Sequence, residues 1–266
     1  MNLFKVSKRK LPIGEIAHLF LNVLLAVSVF SLVYVGDSAV YAALGLVLIS
    51  KWRIFAVRPR YWWANVLANI VDVTVSLSIV ALLYLAGTAD SYSLGLQLGI
   101  TAFYILWLVL IKPRSKRFWV VLQASLALFL GTWALTAFSH ETYLLVCVLS
   151  FYTIGVGVAR HVLALFEESE MSLMSMVFGL ILAEIGWLTY HWSVAYSVNF
   201  LGDFKLPQMA IISLALGLCI YSLFSAARSG KSSKLFAGEV VAPVLFSVAI
   251  IAVLVIFFSS NGPGII

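Results

Sequence analysis

Apolar stretches of about 20 residues succeed one another along the chain, at roughly 13-35, 38-57, 64-88, 92-111, 118-139, 142-164, 171-196, 208-227 and 240-259. A helix of about 20 residues crosses a bilayer core about 30 Å thick, and in lipid the backbone must satisfy its own hydrogen bonds. The pattern predicts an all-α, polytopic bundle of about nine transmembrane helices. No connection is long enough for a second folded unit, so residues 1-266 read as one transmembrane domain. The longest connection, roughly 197-207, holds Asn199, Gly202, Asp203 and Pro207, a turn-forming composition suited to a small cap.

The charges give this string a direction. Lys5, Lys8, Arg9 and Lys10 precede the first run, and Lys51, Arg53, Arg58 and Arg60 follow the second. Lys112, Arg114, Lys116 and Arg117 follow the fourth, Arg160 ends the sixth, and Arg228, Lys231 and Lys234 follow the eighth. Only Lys205, of 17 Lys and Arg residues, falls on the other side. Basic side chains resist translocation, so the N-terminus is expected in the cytoplasm and, with nine spans, the C-terminus outside. The second run is the weakest: 13 residues separate Asp37 from Lys51, about 20 Å of helix. It spans only if Lys51 and Arg53 snorkel, with Trp52 in the interfacial belt. Without this span the basic 51-60 loop would lie outside. The first run exceeds a signal-peptide core and lacks a clear A-x-A site, so it is expected to be retained.

Composition agrees: 63% of the residues are hydrophobic and 11% charged, with a mean hydropathy of +1.07. The net charge of +6 follows from the topology and does not call for nucleic acid. The expected surroundings are the lipid bilayer of the cell membrane and, on the cytoplasmic side, its anionic headgroups. Cys147 and Cys219 each lie inside an apolar run, as small buried thiols do.

The informative residues are the polar ones placed where lipid would be. Asp72 lies about eight residues inside the third run, at a cost of roughly 2.5 to 3.5 kcal/mol if it faces lipid. Asn65, Asn69, Asp72 and Ser76 form one stripe on a helix, either a hydrogen-bonded seam or the lining of a polar path. Glu184 sits in the seventh run with His191 on the same face, among Trp187, Tyr190, Trp192 and Tyr196. This is either a proton relay, or a bundle hydrogen bond below an aromatic belt. Both carboxyls are expected to point into the bundle, with desolvation disfavouring the charged form of at least one unless a basic partner compensates, and no Lys or Arg lies at comparable depth.

Other features are weaker. Glu15, His18 and Asn22 share a face of the first run, but no second Glu-x-x-His accompanies them, so no metal is expected. Arg160 and Glu167 fall in register on a helical extension, as a gate or as solvated charge pairs. Arg58, Arg60, Trp62 and Trp63 suit lipid headgroups, as a general anchor or a specific phosphate contact. Gly95 and Gly99 form a GxxxG pair, and Gly155/Ala159 and Ser213/Gly217 are small-residue pairs that suit close helix crossings.

Gly-x-Ser-x-Gly, His-Glu-x-x-His and a phosphate-binding Gly-rich loop are all lacking, and no cofactor is implied. A retinal Schiff base needs a lysine deep in a span, and Lys51 is near the inner end of its run. Two classes of function stand level. One is a small permease or proton-coupled carrier for a small molecule or ion, with a path around Asp72 and Glu184. The other is a non-catalytic component that packs with a protein partner or lipids. An intramembrane lipid-modifying enzyme is a distant third.

Overall fold

The computed structural model describes residues 13–88, 93–196, 205–229 and 264–265. Eight α-helices follow in order: α1 (Ile13–Val35), α2 (Asp37–Ser50), α3 (Trp62–Gly87), α4 (Ser93–Leu106), α5 (Arg117–Ala137), α6 (Leu144–Leu163), α7 (Met171–His191) and α8 (Gln208–Ser229). A π-helical turn, Trp107–Ile111, extends α4. Among the described residues, seven helices are long and apolar enough to cross a membrane: all of these except α2. The protein is thus a mostly helical membrane protein. The expected ninth span, 240-259, lies outside the described residues.

The second run departs from expectation. Its helix stops at Ser50 after 14 residues, about 21 Å at 1.5 Å per residue. Short 3-10 turns at Trp52–Ile54 and Pro59–Tyr61 then lead into α3. A single residue, Gly36, joins α1 to α2 at φ 141°, a conformation that glycine adopts without strain. Three short strands also qualify the all-α reading: β1 (Val194–Tyr196) lies between β2 (Leu206–Pro207) and β3 (Gly264–Ile265), antiparallel to both. This sheet sits at the end of the bundle where α7 finishes and α8 begins.

α3 touches α1, α2, α4, α5 and α6, and its side chains from Ile70 to Ala86 are largely buried. Val75, Ile79 and Leu83 meet Tyr104 and Trp107 of α4, Leu128 of α5 and Phe151 of α6 in one core. Lipid gives helices no hydrophobic drive to associate, so close packing must do it. The most extensive contact is α6 with α7. There a Cβ on Gly155 would stand 2.9 Å from the Cα of Gly179, and one on Gly186 would stand 2.8 Å from Phe151 Cβ. Gly157 is equally confined, against Ile70 of α3.

The Gly95/Gly99 pair makes no such crossing among the described residues. Among the described residues, nothing lies within 4 Å of a Cβ built on either. The opposite face of α4, with Gln97, Thr101 and Tyr104, is the one turned inward. Gln97 fixes that choice by donating from Nε2 to the Leu83 carbonyl of α3, 3.1 Å away. Gly155→Leu and Gly179→Leu should therefore each destabilise the protein by about 1–3 kcal/mol through overpacking. Gly95→Leu and Gly99→Leu should leave its stability unchanged. Thermal unfolding in detergent compares them directly.

Candidate functional site

The site begins where α2 ends. Lys51 caps the C-terminal end of α2 and is buried, at 8% exposure, so it turns inward rather than snorkelling. Its Nζ donates to Asp72 Oδ2 at 2.5 Å. A second ammonium, Lys112 Nζ, lies 2.8 Å from the same oxygen. Trp107 completes the shell, its Nε1–H donating to Asp72 Oδ1 at 3.2 Å. The expectation that Asp72 lacks a basic partner is thus overturned. Both lysines follow helices in the sequence, but their long side chains reach the carboxylate from the helix ends.

The π turn explains how α4 supplies two of these groups. Positions five apart on an α-helix lie about 140° apart around its axis. Here the Lys112 N–H bonds to the Trp107 carbonyl, at 2.9 Å, in the i→i−5 pattern. That wider turn brings the indole and the ammonium to the same carboxylate. Such π turns recur at functional sites.

Of the stripe on α3, only Asp72 and Ser76 are buried. Asn69 donates to the Asn65 carbonyl at 2.8 Å, and Asn65 Nδ2 reaches the Ile54 carbonyl at 3.4 Å. These amides hold the 3-10 connection and their own helix. The Ser76 hydroxyl neighbours that of Tyr104, though neither makes a hydrogen bond of good geometry.

The polar cluster continues beyond α4. Gln123 of α5 donates from Nε2 to the carbonyls of Ile111 at 2.7 Å and Arg114 at 2.9 Å, satisfying the end of the π turn. Its Oε1 stands 2.9 Å from His161 Nε2 on α6, so that ring nitrogen is the donor. Lys51, Asp72, Lys112, Gln123 and His161 thus join five consecutive helices at the bundle end that bears the Lys and Arg residues. Lys112, Trp107, Gln123 and His161 were not singled out from the sequence. Asp72 signals that a partner is needed, but no spacing rule names one from another helix.

The second carboxyl is elsewhere. Glu184 is exposed on α7, has no hydrogen-bond or ionic partner among the described residues, and does not meet Asp72. His191 is exposed too, its ring centroid 4.7 Å from that of Trp187 and 5.4 Å from that of Tyr190, so it belongs to an aromatic belt. The expected convergence of two inward carboxyls is not what the fold provides. Arg58, Arg60, Trp62 and Trp63 are all exposed at the basic end. Trp62 Nε1 donates to the Val57 carbonyl at 3.0 Å, and the Arg60 guanidinium lies 4.5 Å from the Tyr61 ring centroid.

Glu15, His18 and Asn22 line a recess of about 590 Å³ beside Leu108 and Pro113, with Asn22 Nδ2 2.9 Å from His18 Nδ1. No group of three or more His, Cys, Asp or Glu residues among the described residues is placed to hold a metal. Arg160 and Glu167 do not share a helix. α6 ends at Leu163, a 3-10 turn follows, and Glu167 takes a left-handed conformation at φ 49°. The ion pair formed there is Glu168 with Arg228 of α8. No family model, no curated protein and no solved structure matches the chain.

Chemically, the cluster is a carboxylate shared by two ammonium groups, one buried and one 37% exposed. Asp72→Leu should leave Lys51 buried without its counter-charge and cost about 3–5 kcal/mol. Asp72→Asn should also destabilise, since an amide cannot neutralise the ammonium. Lys112→Met should cost about 1 kcal/mol or less, because that side chain is already partly solvated. The double variant Lys51→Met/Asp72→Leu should recover most of the loss, and a double-mutant cycle of unfolding free energies measures the coupling.

Outside the membrane-spanning segments, the hydrogen bond and charge of Arg228 hold the Glu168 carboxyl below the usual glutamate range. A carboxyl depressed in the folded state stabilises above its unfolded pKa, and that contribution is lost as pH falls through the folded value. The stability advantage of the wild type over Glu168→Gln should therefore be present at neutral pH and vanish on acidification below the glutamate range. Unfolding temperatures recorded across that range provide the check.

Proposed function

We propose that the protein is a non-catalytic integral membrane component, a fixed helical scaffold that works through its contacts with lipids and membrane partners. The observation that carries this reading is the neutralisation of Asp72 by Lys51 and Lys112 inside the packed bundle. A carboxyl that binds and releases protons or cargo needs access to water and freedom to change partners. Asp72 instead joins α2, α3 and α4 through short contacts, and Gln123 and His161 extend the tie to α5 and α6. Glu184, the other residue a carrier path would require, lies on the outer surface of α7.

The positive-inside bias supports a cytoplasmic position for this polar end and its exposed basic and aromatic residues. A cell membrane with anionic headgroups on that side is the matching environment, with Arg58, Arg60, Trp62 and Trp63 in its interface. The carrier reading draws support from one feature, the π turn beside Lys112, where a helix is able to change register.

Proteoliposomes containing an entrapped pH-sensitive dye separate the two. With an imposed proton gradient, wild-type and Asp72→Asn vesicles should both match protein-free vesicles. A flux in the wild type that Asp72→Asn abolishes would establish the carrier instead.

A further inference from the structure

α7 touches α6 along most of its length but meets α8 at few points, while α8 lies mainly on α5. The four helices therefore leave an apolar cavity of about 320 Å³ between them, lined by Leu128, Val162, Val177, Phe178, Gly217 and Tyr221 among others. Water gains little in such a lining, since it needs polar partners. A hydrocarbon chain suits it.

At the basic end, the same wall turns into a cation site. Tyr221 accepts a hydrogen bond from Arg117 Nε at 3.0 Å, and Ser225 accepts one from Nη2 at 2.6 Å. The guanidinium carbon lies 4.9 Å from the Phe166 ring centroid. Arg117 has no carboxylate partner among the described residues, whereas its neighbour Arg228 is matched by Glu168. A guanidinium has five N–H donors in a rigid fork, so those two bonds leave three for an anion. The hydroxyls and the ring fix its orientation without spending its charge.

We propose that this is a binding site for an anionic phospholipid, with the phosphate on Arg117 and one acyl chain in the cavity between α7 and α8. Charge complementarity selects the occupant: an oriented, uncompensated cation stands beside an apolar slot that Tyr221 and Phe224 also line. This goes beyond the scaffold reading and holds independently of it, because the site shares no residue with the Asp72 cluster.

The test is native mass spectrometry of the full-length protein in mild detergent, with phosphatidylglycerol and phosphatidylcholine of identical acyl chains. Wild type should retain phosphatidylglycerol about five- to tenfold better. Arg117→Gln should erase the preference, and Arg117→Lys should keep part of it. Val177→Trp, which fills the cavity and spares the cation, should lower retention of both lipids. Equal retention by the wild type, or a preference that survives Arg117→Gln, would overturn the proposal. So would a disulfide between Leu218→Cys and Ile250→Cys in a Cys219→Ser background, because it would seat the chain's own 240-259 segment on the groove. Should Arg117→Gln fail to fold, undiminished retention in Val177→Trp would be equally decisive against it.

Discussion

A carboxylate inside a lipid-embedded bundle must be matched by opposite charge, and that need organises one half of this protein. Removing an ion from water costs several kcal/mol even after relaxation, and it is recovered only by close, well-directed partners. Asp72 obtains them from Lys51, Lys112 and Trp107. Each depends on an irregularity of the fold: a helix only 14 residues long before Lys51, and a π turn between Trp107 and Lys112. Both irregularities cost regular secondary structure, and both place a donor on the carboxylate. Gln123 then satisfies the carbonyls at the end of the π turn, so the consequence of one buried charge reaches α5 and, through His161, α6.

The other half is held differently. α6 and α7 approach through Gly155, Gly179 and Gly186, where the backbone meets either another backbone or the base of Phe151. Such contact rests on dispersion rather than charge. It leaves α7 committed to α6, and the space between α7 and α8 is the cavity that Arg117 overlooks. A charged cluster and an apolar slot thus occupy different parts of the same bundle.

The helices were legible from apolar run length. Among the described residues, the helices other than α2 start within a few residues of their predicted bounds, and the seventh run ends in β1 rather than in helix. α2 stops short of its predicted end, because hydropathy ignores whether a flanking lysine is drawn up to the interface or down to a partner. Asp72 was recognisable from its cost in lipid, yet its partners were not, since Lys51 and Lys112 sit near helix ends and only their reach and the π turn bring them inward. Gly95 and Gly99 show the reverse failure. Their spacing suits a crossing, but the rotation of α4 is set by Gln97, Tyr104 and Trp107, which face α3. Glu184 was expected inside on cost alone, and its exposed place on α7 has no account in the contacts described.

Asp72 is a charged carboxylate held between two ammonium groups. Infrared difference spectroscopy between the wild type and Asp72→Asn, with aspartate isotopically labelled at its carboxyl carbon, reads that state directly. An ionised-carboxylate stretch, displaced from its free-aspartate position by the two lysines, should be lost at neutral pH. Loss of a protonated carboxyl C=O stretch instead would mean that Asp72 is neutral in the bundle and that the lysine clamp does not exist.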